Sequence, residues 1–283
     1  MIKFGPAGTA DSFKTLGYKD SLFIPEYLSS FGLNAFEYQC GRGVNVNEAK
    51  GLVLCEKLKA SGISLSLHSP YYISLSSVEA EKRDKSIDYI MQSARAVKLL
   101  GGTRIVVHSG SCSKISREEA LGLAKDTLKR ARTALVEAGL SDVIICPETM
   151  GKINQLGNLN EVMELCSVDE SFIPCIDFGH LNARDLGSIK GAEEYRKILD
   201  VMENAIGHDR TAVFHSHFSK IEYSDGGEKR HLTFEDNFYG PYPEPLLEEV
   251  YKRNFSPTFI CESAGTQTED AAFMMNFYKS LKD

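Results

Sequence analysis

The sequence has no apolar run long enough to cross a membrane, and no basic-then-apolar opening segment that ends in a cleavage-like site. A membrane span needs roughly 18 consecutive apolar residues, so we expect no membrane partner. The seven cysteines are scattered and include no C-x-x-C pair, which argues against a disulfide framework or a zinc ribbon. We therefore expect a cytoplasmic protein in which Cys146, Cys175 and Cys261 are small buried apolar side chains.

A shift in composition, a linker rich in Pro or Ser, and an excess of basic residues are also missing. With 42% hydrophobic and 25% charged residues, the chain has the composition of a globular protein. We expect residues 1–283 to form one domain and a monomer. The net charge of −7 argues against a protein that coats nucleic acid nonspecifically, because such binding needs many Lys and Arg contacts to phosphates. A local basic surface is still compatible with it.

Eight short β-rich runs recur along the chain, each followed by a segment with helical spacing. The runs are Ile2–Gly5, Ala35–Tyr38, Ile63–His68, Arg104–His108, Val143–Glu148, Ile173–Asp177, Thr211–His217 and Thr258–Glu262. Strands that alternate with helices indicate parallel strands joined by crossovers, and eight such units predict an α/β fold, the (β/α)₈ TIM barrel. The alternative is an open doubly wound sheet, but no G-x-G-x-x-G follows the first strand.

Local signals place several boundaries. A capping box beginning at Ser116 predicts a helix start, and Gly101 and Gly139 stand where helices are expected to end. The stretch 219–242, rich in charge, Gly and aromatics, is predicted to be an irregular loop that covers the active site.

Side chains that bind metals stand where the predicted strands end. In chain order they are His68, His108, Glu148, Asp177, His215 and Glu262, with His217 two residues beyond His215. The carboxyl ends of barrel strands open onto one face, where barrel enzymes build their active sites. Crowded carboxylates repel one another unless cations lie between them, so divalent metals explain the pattern economically. His180, just past the sixth strand, and His231, in the long loop, fit the same face, whereas His208 belongs to the opposite end.

The motifs that contain these residues resemble the endonuclease IV family, the zinc-dependent apurinic/apyrimidinic endonucleases of the xylose-isomerase-like barrels. The resemblance runs through His68-Ser-Pro-Tyr71, Val107-His108-Ser-Gly-Ser111, Pro147-Glu148-Thr-Met-Gly151, Cys175-Ile-Asp177-Phe-Gly-His180, His215-Ser-His217-Phe-Ser-Lys220, Lys229-Arg-His231 and Cys261-Glu262. It implies hydrolysis of the phosphodiester 5′ to an abasic site in DNA, with two or three Zn²⁺ ions, or Mn²⁺ or Fe in their place.

By this resemblance, one metal is held by His68, His108 and Glu148, and Glu148 bridges to a second metal held by Asp177, His215 and Glu262. His180 and His231 would hold a third. Glu148 and Glu262 are the candidate catalytic carboxylates. Tyr71 matches an aromatic residue that the family places against the DNA, and packing is an equally good interpretation of it. A basic rim is predicted from Arg42, Lys114, Arg117, Lys152, Arg184, Lys220, Lys229 and Arg230.

The third metal site departs from the family pattern, because Lys229 stands where the family has an aspartate. A protonated lysine cannot bind a metal, so this ion is either missing or held by His217, Asp225, Glu228 or Asp236 instead. Alternatively, Lys229 holds the phosphate that the third metal would otherwise contact.

Two other functions stay open at this point. A sugar isomerase or epimerase of the same superfamily uses a single metal, for which Glu148, Asp177, His215 and Glu262 would suffice. His68, His108 and His231 would then have no role as ligands. The second is a non-catalytic binder of damaged DNA that keeps its metals for structure, which only the lysine at position 229 favours.

Overall fold

The computed structural model describes residues 1–112 and 115–282. Its strands are β1 Lys3–Pro6, β2 Ala35–Gln39, β3 Ser64–His68, β4 Arg104–His108, β5 Ile144–Glu148, β6 Cys175–Asp177, β7 His215–Phe218, β8 Lys220–Ser224, β9 Gly227–Leu232 and β10 Thr258–Cys261. Eight of them, all but β8 and β9, form one parallel sheet in the order β1-β10-β7-β6-β5-β4-β3-β2. The sheet closes between β1 and β2, where Ala7 pairs with Glu37. The predicted (β/α)₈ barrel is therefore confirmed.

Helices follow the barrel strands and cover the outside of the sheet. They are α1 Asp11–Thr15, α2 Ile24–Ser30, α3 Glu48–Ala60, α4 Ala80–Leu99, α5 Arg117–Glu137, α6 Leu159–Cys166, α7 Phe178–Arg184, α8 Ala192–Ile206, α9 His208–Thr211, α10 Pro243–Lys252 and α11 Gln267–Ser280, with a 3₁₀ turn at Ser21–Phe23. No helix in the described residues is long and apolar enough to cross a membrane.

The predicted helix boundaries agree with the structure at three positions. The Ser116 side chain accepts a hydrogen bond from the Glu119 backbone N–H at 3.1 Å and so caps α5. Gly101 and Gly139 follow α4 and α5 with φ of 83° and 72°, a backbone conformation that a side chain disfavours.

Alternate residues of each barrel strand face the helices and the barrel interior. Phe4 stacks on Phe259, with ring centroids 5.5 Å apart, and also contacts Tyr278 of α11. Phe4 and Phe259 therefore face outward, toward the helices. Because successive side chains of a strand point to opposite faces, Lys3 and Thr258 face the interior.

The stretch 219–242 is more ordered than the predicted irregular loop. It contains the antiparallel hairpin of β8 and β9, which turns at Asp225 and Gly226 and enters β9 at Gly227, with a β-bulge between Glu222 and Tyr223. Gly227 has a φ of 90°, and a Cβ there would lie 2.2 Å from the Gly151 carbonyl oxygen. The turn therefore needs glycine to pack against the loop that follows β5.

Candidate metal centre

The first group of metal-binding side chains lies at the carboxyl ends of β3, β4 and β5. His68 and His108 place their Nε2 atoms 3.5 and 3.4 Å from Glu148 Oε2. This carboxylate oxygen is buried and has no hydrogen-bond partner. Buried polar atoms normally have a partner, and a cation bound by the three side chains would supply it. The structure thus brings together the first predicted ligand set.

The second group shares Glu148 with the first and adds Asp177, His217 and Glu262. His217 Nδ1 lies 3.1 Å from Glu148 Oε1 and 3.5 Å from Glu262 Oε2. Asp177 Oδ2 is another buried oxygen without a hydrogen-bond partner. Because each oxygen of Glu148 faces a different group, this residue is placed to bridge two cations.

His215 was expected in the second group, but the structure places His217 there. β7 begins at His215 because Thr211, predicted to open the strand, ends helix α9. His215 therefore lies two residues deeper in the barrel, where its Nε2 is 2.9 Å from Glu37 Oε2. Cys175, His215 and His217 also lie close enough together to be a possible ligand set, fully buried below the second group.

The third group consists of His180, Glu228 and His231. Glu228 places one carboxylate oxygen 3.5 Å from His180 Nε2 and the other 4.0 Å from His231 Nε2. Lys229 is turned away from this group, and its ammonium pairs with Glu222 on β8. Of the substitutes considered for the family's aspartate, the structure brings Glu228 to the two histidines.

Most of these histidines use one ring nitrogen toward their own ligand group and are held by a hydrogen bond at the other ring nitrogen. His68 Nδ1 and His180 Nδ1 lie 2.8 and 2.9 Å from the backbone carbonyl oxygens of Ser69 and Thr149. His231 Nδ1 lies 2.8 Å from the Ser219 hydroxyl. A donor N–H on one side of the ring leaves a lone pair on the other side, so these bonds suit imidazoles that bind metals through Nε2.

Glu37 holds His217 in the same way, and sequence reasoning missed it. This fully buried carboxylate on β2 lies 2.9 Å from His217 Nε2 and accepts a hydrogen bond of 2.8 Å from the Ser66 hydroxyl. Burial alone would raise the pKa of Glu37, but the charge of His217 and the hydrogen bonds from His215 and His217 hold that pKa well below its usual value. An acidic residue at an inward position of a buried strand was the available signal.

Opposing effects of burial and charge set the ionisation of the centre. Burial would raise the pKa of Glu148, yet the charge of His217 and hydrogen bonds from neighbouring histidines, His180 among them, hold it well below its usual value. Burial, together with neighbouring carboxylates, raises the pKa of Glu262. Burial lowers the pKa of His108 to about 3. Imidazoles that have lost their proton form, together with carboxylates, a donor set that fits Zn²⁺ and similar divalent ions.

The predicted DNA-binding residues differ in how accessible they are. Tyr71 is 58% exposed, and its ring centroid lies 5.4 and 5.3 Å from those of His68 and His108, at the mouth of the metal centre. Lys220 is buried and its ammonium donates to the backbone carbonyl oxygens of Phe234 and Asp236. It therefore has a structural contact where a phosphate contact was expected.

The other residues of the predicted basic rim likewise fall into two sets, those held in structural contacts and those that are exposed. Arg184 is buried and donates to backbone carbonyls of the loop after β5, and Arg117 pairs with Glu161. Exposed side chains remain at Arg42, Lys152, Lys229 and Arg230, although the last two share Glu222. Lys114 lies outside the described residues.

Comparison with known proteins places these observations in a family. Residues 25–281 match the family described as xylose isomerase-like TIM barrel. An uncharacterized protein of Methanocaldococcus jannaschii is 33% identical over 99% of this chain and 98% of its own length. A probable endonuclease 4 of Ureaplasma urealyticum is 26% identical over 76% of this chain and 71% of its own length.

Two solved structures share the fold at low identity. Endonuclease IV from Thermus thermophilus aligns over 98% of both chains with a TM-score of 0.67 and 20% identity. A D-tagatose 3-epimerase-like protein aligns over 99% of this chain and 98% of its own, with a TM-score of 0.71 and 16% identity. The fold is thus common to nucleases and epimerases, and the site must distinguish them.

Proposed function

Because the chain belongs to the xylose isomerase-like TIM barrel family, we propose that it is a metal-dependent phosphodiesterase similar to endonuclease IV, which hydrolyses the phosphodiester 5′ to an abasic site in DNA. The observation that carries this proposal is that Glu148 is shared by two ligand groups while His180, Glu228 and His231 form a third. Enzymes that displace a phosphate ester in line use such clusters of cations, because both the attacking and the leaving oxygen need positive charge nearby.

In this proposal, His68, His108 and Glu148 hold the first ion, Glu148, Asp177, His217 and Glu262 the second, and His180, Glu228 and His231 the third. When bound, divalent cations lower the pKa of water and offset the negative charge of the phosphate oxygens. Zn²⁺ is favoured because imidazole is its common ligand, and Mn²⁺ or Fe would also accept this mixture of nitrogen and oxygen donors. We further propose that the enzyme acts as a cytoplasmic monomer.

The protein residues orient the substrate at this centre. The side chain of Glu262 is partly exposed, so this catalytic carboxylate faces the side from which water and substrate enter. Tyr71 offers an open ring face at the mouth, suitable for stacking on a base next to the lesion. Gly41 leaves the space that this ring occupies, since a Cβ there would lie 2.4 Å from it. An abasic sugar enters such a pocket cheaply because no base pair is lost.

The test is a nicking assay on two duplexes that differ only in one abasic residue. We expect cleavage of the abasic strand by the protein loaded with Zn²⁺ or Mn²⁺, and no cleavage of the undamaged duplex. Glu148→Gln keeps the shape of the side chain and removes the shared negative charge, so turnover should be lost. Metal analysis of both proteins separates loss of ions from loss of chemistry.

The rival with a structural basis is a single-metal sugar epimerase. Glu148, Asp177, His217 and Glu262 form the set of two glutamates, an aspartate and a histidine that such an enzyme needs. One bound ion per chain, together with interconversion of a ketose and its 3-epimer, would favour this function. The alternative of a non-catalytic DNA binder rested on Lys229 alone, and Lys229 lies outside the third ligand group.

A further inference from the structure

A second polar cavity, of about 350 Å³, lies at the amino ends of the barrel strands, opposite the metal centre. Its lining includes the first residues of six barrel strands, Lys3, Ser64, Arg104, Ile144, His215 and Thr258. Most TIM barrels fill this end of the interior with branched apolar side chains. An open polar space here is therefore a specific feature of this chain.

The charged side chains that line this cavity are both positive. Lys3 and Arg104 both line it, and no aspartate or glutamate is among its lining residues. Neither cation forms an ion pair with any residue that the structure describes. Burial and the nearby charge of Arg104 together lower the pKa of Lys3. Two like charges in a half-buried space favour an anion between them.

Hydrogen-bonding groups in the cavity also lack partners. Arg104 donates from Nη2 to the Val213 carbonyl oxygen at 2.9 Å, whereas its Nη1 is buried without a partner. His215 Nδ1 is also buried without a partner, but His215 donates from Nε2 to the Glu37 carboxylate, so its Nδ1 is an acceptor and does not attract an anion. A buried N–H group without a partner is unfavourable, so Arg104 Nη1 indicates a ligand that accepts a hydrogen bond in this cavity.

We propose that this cavity binds a small oxyanion of the size and charge of inorganic phosphate. Lys3 and Arg104 supply the positive charge, and the hydroxyl of Thr258 supplies a further donor. The guanidinium of Arg104 is suited to such an anion because its N–H groups match the spacing of phosphate oxygens. Glu37, with both oxygens occupied by neighbouring histidines, separates this site from the metal centre.

Crystals of the metal-loaded protein grown with selenate would locate the site, since selenium scatters anomalously and selenate has the geometry of phosphate. We expect an anomalous peak between Lys3 and Arg104, in addition to any peak at the metal centre. Peaks at the metal centre alone, with ordered water in the lower cavity, would overturn the proposal, as would occupancy that is seen only at crystal concentrations.

Calorimetric titration with inorganic phosphate supplies the solution test. Lys3→Met should weaken one class of phosphate sites about tenfold or more, because one of the two cations is lost. Lys129→Met is the matched control, an exposed lysine on helix α5 outside both sites, and should leave that class unchanged. Arg104→Gln gives a second test should Lys3→Met misfold, as judged by metal content and thermal melting. Identical isotherms for the wild type and both cavity variants would refute the site.

Discussion

Glu37→Gln would remove the buried negative charge behind His217 while keeping the length of the side chain. The glutamine oxygen can still accept a hydrogen bond from His217 Nε2, but the glutamine NH₂ group then faces His215 and Ser66 where a carboxylate oxygen accepted from both. The neutral amide leaves the imidazole less basic at Nδ1, the atom that faces Glu148 and Glu262. The second metal site should therefore be weakened most.

The expected size of the effect follows from what such supporting residues contribute. Loss of the carboxylate behind a metal-binding histidine typically costs about 10–100-fold in metal affinity, or about 1.4–2.7 kcal/mol. The assay is competition for Zn²⁺ against a chromophoric chelator, with the number and affinity of sites fitted separately. One site should weaken by that factor while the others change little.

Ser66→Ala is the matched control, because it removes a hydrogen bond to the same carboxylate and leaves its charge and both histidine contacts in place. It should lower metal affinity much less than Glu37→Gln does. Equal Zn²⁺ affinities in Glu37→Gln and the wild type, with the fold preserved, would refute the argument that Glu37 positions His217.

Three further predictions concern other parts of the chain. Glu228→Gln should lose about one ion per chain by elemental analysis, whereas Lys229→Gln should lose none, and equal losses would contradict the third group as described. Tyr71→Ala should weaken binding to abasic DNA by about 1–3 kcal/mol in a titration by fluorescence anisotropy, and unchanged affinity would remove Tyr71 from the DNA interface. Glu161 is buried, and burial would raise its pKa, but the hydrogen bonds from Arg117 and two backbone N–H groups lower it. Its contribution to stability is present above its unfolded pKa and is lost as pH falls through the lower folded pKa, so the difference in Tm between the wild type and Glu161→Gln should shrink between about pH 6 and pH 3. A difference that is constant with pH would mean that the charge of Glu161 is not the cause.

The barrel and most of the metal face follow from the sequence because they depend on order along the chain. Eight strands joined by helices close with all their carboxyl ends on one side, so His68, His108, Glu148 and Asp177 converge wherever the exact boundaries fall. No information about packing is needed for that inference.

His215 and His217 show where this reasoning stops. Residues two apart on a strand face the same side, so the sequence pattern cannot decide which of them lies at the mouth. The answer depends on where β7 begins, and the short helix α9 delays that start until His215.

Glu37 was missed, and Glu228 could not be chosen over the other candidate ligands, for a related reason. Glu37 is polar in an otherwise apolar strand, and its role is set by two histidines about 180 residues away in sequence. Glu228 reaches the third group from a hairpin whose register shifts at the bulge between Glu222 and Tyr223. Contacts between distant elements determine the roles of both residues, and the spacing of residues within one segment does not reveal those contacts.

The most direct test of the proposed function is the identity of the ends left by one turnover. Metal-loaded protein in excess is mixed with a duplex that carries one abasic residue, and the products are separated at single-nucleotide resolution. Hydrolysis 5′ to the lesion adds water to phosphorus and expels the 3′ oxygen of the upstream nucleotide. The proposed function therefore predicts an upstream fragment with a 3′-hydroxyl that a polymerase extends, and a downstream fragment whose 5′ end carries the abasic sugar phosphate. An uncut duplex with the metal sites filled, or a cut on the 3′ side of the lesion, would contradict it.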